Sequence, residues 1–184
     1  MSDYMLSIEG KVVIVTGGGK GIGRVYCREL AKAGCNIVVA DIDDDANAET
    51  VAEIRDAGGE AITATTDVSS ETATQEMVTK SINAFGRIDG LVNNASLMSV
   101  LERRDWQLIP VDEWDRVQEV NMRGVFLCCK AVYPQMKKQG GGAIINISSG
   151  RFWSGTPNRL HYSTSKAGVI GLTRSLAREI GPDN

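Results

Sequence analysis

The stretch Thr16-Gly17-Gly18-Gly19-Lys20-Gly21-Ile22-Gly23 directly follows a short apolar run and opens a segment of helical periodicity. Its glycines allow a tight turn and a close approach of the backbone to a phosphate group, whose charge the amides at the helix start would face. The spacing fits G-x-x-x-G-x-G, and neither G-x-G-x-x-G nor a Walker loop. The stretch therefore predicts a phosphate cradle between a strand and a helix, with a tight turn that binds nothing as the alternative.

Short apolar runs alternate with helical patterns on both sides of this loop. The predicted strands are Lys11 to Thr16, Asn36 to Asp41, Ala61 to Asp67, Ile88 to Asn93 and Ala143 to Ser148. The predicted helices are Ile22 to Ala33, Ala46 to Ala57, Glu71 to Phe85, Asp112 to Lys138 and Tyr162 to Ile180. This order predicts an α/β fold, a doubly wound parallel sheet with helices on both faces, in a single domain spanning residues 1–184.

The composition narrows the class of protein. The chain has 184 residues, 42% of them apolar, and a net charge of −3 without a block of basic residues, which argues against a nucleic-acid partner. Neither a membrane-spanning stretch nor a targeting signal in Met1 to Gly10 is visible, so a cytoplasmic protein is expected. Four cysteines without C-x-x-C spacing and one histidine, His161, argue against a metal site and predict reduced, buried thiols.

Asp41 closes the second predicted strand, 24 residues after Gly17. A carboxylate there can accept hydrogen bonds from both hydroxyls of an adenosine ribose and would repel a 2′-phosphate. The acidic residues Asp43 to Asp45 add to that repulsion, whereas Lys20 would attract a 2′-phosphate. Because Asp41 would block the phosphate directly, the sequence favours NAD over NADP.

Tyr162 and Lys166 are four residues apart, so on a helix they share one face, where the ammonium favours the phenolate. The same spacing recurs at Tyr133 and Lys137, so spacing alone is a weak signal. Position decides between the two pairs, because only Tyr162 follows the carboxyl end of the fifth strand, where ligands of such sheets lie. Ser148 and Ser149 end that strand.

Taken together, these motifs resemble the short-chain dehydrogenase/reductase family, in its branch with the T-G-x-x-x-G-x-G loop. The resemblance runs from Gly10 to Asp183 and implies a Rossmann-like fold. Besides the loop, the matching motifs are Asp67-Val68, Asn93-Asn94-Ala95, Asn121, Ser148-Ser149, and Tyr162 with Lys166.

The resemblance implies roles for these residues. Tyr162 would exchange a proton with the substrate oxygen, while Lys166 would lower the pKa of Tyr162 and hold the nicotinamide ribose. Ser149 would position the substrate, and Asn121 would anchor a water that links Lys166 to solvent. The implied cofactor-binding residues are Gly17, Lys20, Gly21, Ile22, Gly23, Asp41, Asp67, Val68, Asn94, Tyr162 and Lys166.

Family members continue beyond a segment like this one with further strands and a substrate lid, so C-terminal strands are expected to be missing. They commonly form homotetramers through their two long helices. The candidate apolar residues for that contact are Cys128, Cys129, Val132, Leu172 and Leu176, for which core packing is the alternative.

The sequence therefore predicts an NAD-dependent oxidoreductase acting on a secondary alcohol or ketone. Apolar side chains in two loops, Leu97 to Pro110 and Gly150 to Leu160, favour a hydrophobic substrate. Those side chains are Met98, Trp106, Phe152 and Trp153. The alternatives are an NADP-dependent 3-oxoacyl-[acyl-carrier-protein] reductase and a dinucleotide-binding sensor or subunit without turnover. His161 is expected in a pocket wall or at the surface.

Overall fold

A computed structural model describes residues 7–183, so part of the N-terminal segment considered for a targeting signal lies outside the described residues. Five parallel strands form one sheet in the order β3-β2-β1-β4-β5. The strands are β1 (Val12–Thr16), β2 (Asn36–Asp41), β3 (Ala61–Thr65), β4 (Gly90–Asn93) and β5 (Ala143–Asn146). The helices are α1 (Gly21–Lys32), α2 (Asp44–Asp56), α3 (Glu71–Phe85), α4 (Val111–Gln118), α5 (Gly124–Lys138), α6 (Arg151–Ser154) and α7 (Leu160–Ile180).

The central strands are apolar throughout because both faces of the sheet are covered. Val12 and Ile14 point into a cluster with residues of α3, α5 and α7. Val13 and Val15 point the other way, into a cluster with residues of α1 and α2. Helices therefore pack on both faces, and the prediction of a Rossmann-like, doubly wound α/β fold is confirmed.

The strand order determines where a crevice forms at the edge of the sheet. The chain runs outward from β1 through β2 to β3 and then crosses back to β4 on the other side of β1. The loops after β1 and β4 thus separate at the carboxyl edge of the sheet, which leaves a crevice between them. Both the glycine loop and the Asn93-Asn94-Ala95 motif belong to these two loops.

Several predicted boundaries were wrong by a few residues. The third strand ends at Thr65, not Asp67, because the Asp67 carboxylate turns back to accept from Ser69. The second helix begins at Asp44, before the predicted Ala46, because the Asp43 side chain caps it by accepting from the amide of Ala46 at 3.0 Å.

The long helix predicted from Asp112 to Lys138 is interrupted. A π-helical turn at Glu119–Arg123 separates α4 from α5 and contains Asn121, which is fully buried. Such turns reorient side chains and occur often at functional sites. Hydrophobic periodicity cannot indicate this turn, since the apolar face continues through it.

Of the residues proposed as an oligomer surface, three are buried in the core and two pack against it while remaining partly exposed. Cys128, Cys129 and Val132 are buried in the cluster that contains α3 and α5, and Leu172 and Leu176 pack against it. All four cysteines are free and buried, as predicted. Burial raises the pKa of Cys27 to about 12 and that of Cys129 to about 11. The homotetramer stays a prediction.

No helix among residues 7–183 is both long enough and apolar enough to cross a membrane.

Candidate active site

The glycine loop is shaped by contacts that leave no room for side chains. Gly17 has φ +64°, and a Cβ there would lie 2.9 Å from the Cα of Ala95. A Cβ on Gly23 would lie 1.9 Å from the carbonyl oxygen of Gly17. The first turn of α1 therefore packs directly on the loop, which is the reason the sequence needs glycine at both positions.

The start of α1 is open toward the crevice. Lys20 at the N-cap provides no side-chain cap, and the first turn contains no acidic residue. Gly21 has φ +55°, and a Cβ there would meet no atom within 4 Å. An uncapped helix start beside open space fits a pyrophosphate, because its amides and the helix dipole favour an anion.

Asn94 fixes the loop from the neighbouring strand end. Its side-chain amide donates to the carbonyl oxygens of Thr16 at 3.0 Å and of Gly17 at 3.2 Å. The Thr16 hydroxyl in turn accepts from the backbone amides of Asn94 at 3.0 Å and Ala95 at 3.1 Å. These bonds join the two loops on either side of the crevice into one rigid unit.

Asp41 lies at the end of β2 with its carboxylate held by backbone amides. One oxygen accepts from Gly19 at 3.1 Å and the other from Asp43 at 3.2 Å. The ammonium of Lys20 lies 2.5 Å from the Asp43 carboxylate. The positive charge of Lys20 is therefore already paired with a carboxylate of this chain.

Asp67 and Val68 follow β3 at the same edge of the sheet. Asp67 accepts from the amide and hydroxyl of Ser69 and from the guanidinium of Arg116 at 3.2 Å. Partial burial acts to raise the pKa of Asp67, but these bonds outweigh it and hold the pKa below its ordinary value. Val68 is buried, and its side chain lies against Gly124.

Tyr162 and Lys166 lie one turn apart on α7. The Lys166 ammonium is 6.0 Å from the centre of the Tyr162 ring and donates to the carbonyl oxygen of Ile147 at 2.9 Å. Because desolvation disfavours its charged form, the pKa of Lys166 falls to about 8. Ser148 ties the end of β5 to this helix by donating to the Lys166 carbonyl at 2.7 Å.

Ser149 and Asn121 are placed differently. The Ser149 hydroxyl accepts from the amide of Arg151 at 3.3 Å, at the start of α6. Asn121 lies beneath the loop that follows β4: its oxygen accepts from the amide of Leu97 at 2.7 Å, and its nitrogen donates to Ser165 at 3.1 Å. Its hydrogen bonds therefore support the loop and α7 and do not reach Lys166.

One cleft of about 630 Å³ brings together every predicted site residue except Asn121. The predicted residues that line it are Gly17, Lys20, Gly21, Ile22, Gly23, Asp41, Asp67, Val68, Asn94, Ser149, Tyr162 and Lys166. Tyr133 and Lys137, the second Tyr–Lys pair, are not among the residues that line this cleft. The Tyr133 hydroxyl donates to Asp183, near the end of the described chain.

His161 lies neither at the surface nor in the wall of the cleft, so that expectation was wrong. It is fully buried, with Nε2 3.2 Å from the Glu113 carboxylate. Its carbonyl oxygen accepts from Gln118 at 3.1 Å. Packing of α4 against α7 buries it, a contact that sequence periodicity does not indicate.

The loops expected to contact the substrate contribute less aromatic surface than predicted. Met98 lines the cleft together with Leu97, which packs against Tyr162. Trp153 packs against Phe152, with ring centres 4.5 Å apart and ring planes inclined by 40°, but it is 81% exposed. Trp106, Phe152 and Trp153 are absent from the lining of this cleft.

Sequence reasoning missed Arg116, whose guanidinium lines the cleft from α4. Its partner Asp67 is 49 residues earlier in the chain, so no local spacing indicates the contact. The Ile147 carbonyl that receives the Lys166 ammonium was also missed, because a backbone acceptor has no residue type to recognise.

The model of the short chain dehydrogenase family matches residues 11–184. The chain belongs to this family. An uncharacterized oxidoreductase of Thermotoga maritima is 42% identical over 173 residues, which cover 92% of this chain and 65% of the relative. The chain thus spans somewhat less than two thirds of the length of that relative.

Two further short chain dehydrogenase relatives bear on the function. A 3-oxoacyl-[acyl-carrier-protein] reductase of Synechocystis is 38% identical, over 96% of this chain and 70% of the relative. A 7α-hydroxysteroid dehydrogenase, solved in complex with NADH and 7-oxo glycochenodeoxycholic acid, superposes with a TM-score of 0.92 at 33% identity. That superposition covers 100% of this chain and 71% of the solved one.

Proposed function

We propose that the protein is an NAD-dependent oxidoreductase that interconverts a secondary alcohol and a ketone. The observation that carries the proposal is the single cleft lined both by the glycine loop with Asp41 and by Ser149, Tyr162 and Lys166. A phosphate cradle and a proton-transferring pair in one cleft suit an enzyme that holds a dinucleotide beside its substrate.

The bound nicotinamide would supply or accept the hydride. The remaining chemistry belongs to the side chains of this chain. Tyr162 gives its proton to the substrate oxygen during reduction and takes it back during oxidation. Because the Lys166 ammonium lies 6.0 Å from the ring centre, it stabilises the negative charge that develops on the tyrosine oxygen. Ser149 donates a hydrogen bond that orients the substrate oxygen.

The arrangement around Asp41 supports NAD as the cofactor. Two backbone amides hold its carboxylate at the cleft, where it would meet a 2′-phosphate with like charge. Lys20, the residue that would favour NADP, is paired with Asp43. Asn94 and the glycine loop would form the wall beside the phosphates, and the family resemblance implies that Asp67 with Val68 would form the wall beside the adenine.

Fluorescence titration of the 184-residue chain with NADH and NADPH, in parallel and at fixed salt, tests the cofactor. We expect NADH to bind at least about tenfold more tightly, and Asp41→Asn to narrow that ratio, because a like-charge contact costs one or more kcal/mol. Asp56→Asn is the matched control, since Asp56 is exposed and does not line the cleft. Failure to bind either dinucleotide contradicts the proposal.

Tyr162→Phe tests the chemistry in NADH-linked reduction of cyclohexanone and acetophenone. Loss of the acid–base group is expected to lower turnover about 10²- to 10⁴-fold while NADH affinity is kept. Tyr133→Phe is the matched control, since Tyr133 also precedes a lysine by four residues but is not among the lining residues. Unchanged turnover in Tyr162→Phe would contradict the assigned role. NADH binding without turnover of any alcohol or ketone by the unaltered protein would favour the non-catalytic dinucleotide sensor.

A hydrophobic substrate is supported by Leu97 and Met98, which line the cleft beside Tyr162. Turnover of small polar sugars with no activity on cyclic or aryl ketones would contradict this part of the proposal.

The similarity to the Synechocystis enzyme favours one second candidate, an NADP-dependent 3-oxoacyl-[acyl-carrier-protein] reductase. It requires NADPH to bind more tightly than NADH, so the titration separates the two candidates. An acidic carrier protein could be met by Arg103, Arg104, Arg151 and Arg159. Two of these are engaged, because Arg104 pairs with Glu102 and Arg159 donates to the Met98 carbonyl.

A further inference from the structure

Arg116 reaches from α4 to the wall of the cleft, where it contacts the loop that follows β3. Nη2 lies 3.2 Å from the Asp67 carboxylate and Nη1 donates to the Ser69 hydroxyl at 2.8 Å. A further contact to Glu119, at 3.4 Å, holds the guanidinium on its own side of the cleft. Arg116 is therefore a bridge between a helix and a cleft-lining acidic residue.

Both oxygens of Asp67 are fixed by this arrangement. Oδ1 accepts from the amide of Ser69 at 2.9 Å and from its hydroxyl at 2.6 Å, while Oδ2 faces Arg116. The hydroxyl of Ser69 thus lies between the two, since it also accepts from Arg116. Without Arg116, the Oδ2 oxygen would lose its partner and the carboxylate one of its two anchors.

We propose that Arg116 is a positioning residue for base recognition, which fixes the Asp67 carboxylate so that the cleft prefers an adenine to a base that lacks the 6-amino group. The inference rests on the proposed function, in which Asp67 lies beside the adenine. Arg116 acts through Asp67 and does not itself contact the base.

The preference follows from the hydrogen-bonding capacity of a carboxylate. An ionised carboxylate only accepts hydrogen bonds, and the hydrogen bonds from Ser69, together with the neighbouring guanidinium, keep the pKa of Asp67 low despite partial burial. The 6-amino group of adenine donates, whereas hypoxanthine carries an oxygen at that position, which only accepts. Hypoxanthine would therefore leave the carboxylate facing another acceptor, and such a mismatch is costly in a site built for a donor.

Arg123 offers a matched control about two turns further along the chain. It donates to the backbone carbonyl of Ser69 at 2.7 Å and contacts Glu119 at 3.5 Å, so it holds the same loop. It neither bonds to Asp67 nor lines the cleft. A general loosening of the loop would follow from loss of either arginine, whereas loss of base preference would follow only from loss of Arg116.

The test compares NADH with reduced nicotinamide hypoxanthine dinucleotide in fluorescence titrations of the 184-residue chain. The unaltered chain is expected to prefer NADH roughly tenfold, the contribution typical of a hydrogen bond to a charged group. Arg116→Met, which keeps the apolar stem, should reduce that ratio to about threefold or less, and Arg116→Lys should restore part of it. Arg123→Met should leave the ratio unchanged.

The measured quantity is the ratio of the two affinities, because a defect that only loosens the structure would lower the affinity for both dinucleotides by the same factor. Equal ratios in the unaltered chain and Arg116→Met, equal losses in Arg116→Met and Arg123→Met, or no base preference at all would each overturn the inference. If Arg116→Met does not fold, Arg116→Lys supplies the comparison, and an unchanged ratio there overturns it as well. Absence of binding by the unaltered chain would instead contradict the proposed function.

Discussion

The two halves of the cleft are built in different ways. At the half assigned to the dinucleotide, strand ends and backbone groups set the geometry: Gly17 and Gly23 pack backbone on backbone, and amides hold Asp41. At the half assigned to the substrate, loops carry part of the lining, and Met98 in one of them is 37% exposed. In the same two loops, Trp106 and Trp153 lie outside the cleft lining and are 63% and 81% exposed. One half is specified by steric exclusion, the other is bordered by loop side chains in contact with solvent.

This difference explains how a single fold can bind the same dinucleotide while its substrate varies. A backbone cradle tolerates few residue types, because each added atom collides with a rigid neighbour. Loop side chains in contact with solvent can change without disturbing the sheet beneath them. Substitutions in the two halves should therefore have effects of very different size.

Gly23→Ala should have the largest effect. Its Cβ would lie 1.9 Å from the Gly17 carbonyl oxygen and 2.7 Å from the Asn94 side chain, so the loop must move. We expect the free energy of unfolding to fall by roughly 3 kcal/mol and NADH affinity to fall roughly 100-fold. Urea denaturation and NADH fluorescence titration measure the two effects.

Gly171→Ala is the control for that substitution. Gly171 lies within α7, and a Cβ there would meet no atom within 4 Å. Alanine should raise helix stability by about 1 kcal/mol and leave NADH affinity unchanged. Native NADH affinity in Gly23→Ala would show that the loop yields easily, and the contrast between the two halves would then be lost.

The same difference between the two halves of the cleft explains which features could be predicted from the sequence. The glycine loop, Asp41 and the Tyr162–Lys166 pair could be predicted to lie at one site because the chemistry proposed for them needs particular residue types at fixed spacings, and all of them line one cleft. The sheet could be predicted because its central strands, which are buried on both faces, are nearly continuous in apolar residues. The ends of several elements shifted, as at Thr65 and Asp44, where side chains near the chain reversals decide the boundary, and the helix predicted from Asp112 to Lys138 is interrupted at Glu119–Arg123.

What the sequence could not supply are contacts between distant segments. Arg116 meets Asp67 across 49 residues, and Asn121 meets Leu97 across 24 residues through a π-helical turn. His161 was expected to be accessible but is buried against Glu113. Each of these contacts depends on how α4 and the turn that follows it lie over the sheet. Hydrophobic periodicity indicates which face of a helix is buried, but it does not indicate which residues that face contacts.

Lys166 should produce the next largest effect, one that depends on pH. Desolvation lowers its pKa from 10.5 to about 8 in the folded chain. Below pH 8 the ammonium is charged in both states, so the folded state bears the full cost of burying it, roughly 3 kcal/mol. Between pH 8 and 10.5 the unfolded chain binds more protons than the folded chain, so stability from this group rises with pH.

Lys166→Met should therefore stabilise the chain at pH 7, by roughly 2 kcal/mol once the lost bond to Ile147 is subtracted. The gain should shrink as pH rises from 8 toward 10. Urea unfolding of both chains at pH 7, 8.5 and 9.5 measures it, since titration of the cysteines cancels in the difference. Lys137→Met, at an exposed lysine, should show no such gain. A gain that is independent of pH would contradict the assigned cause.

Trp153→Ala and Trp106→Ala should have the smallest effect. Both indoles are mostly exposed, and their removal should change the free energy of unfolding by less than about 0.5 kcal/mol. NADH affinity should not change, because neither residue lines the cleft. Leu91→Ala, at a fully buried position of β4, should cost about 2 to 5 kcal/mol in the same urea assay. If Trp153→Ala were to approach the cost of Leu91→Ala, the loop after β5 would be as firmly packed as the sheet. The loops that border the substrate half would then tolerate substitution no better than the glycine loop, and the expected difference between the two halves would be lost.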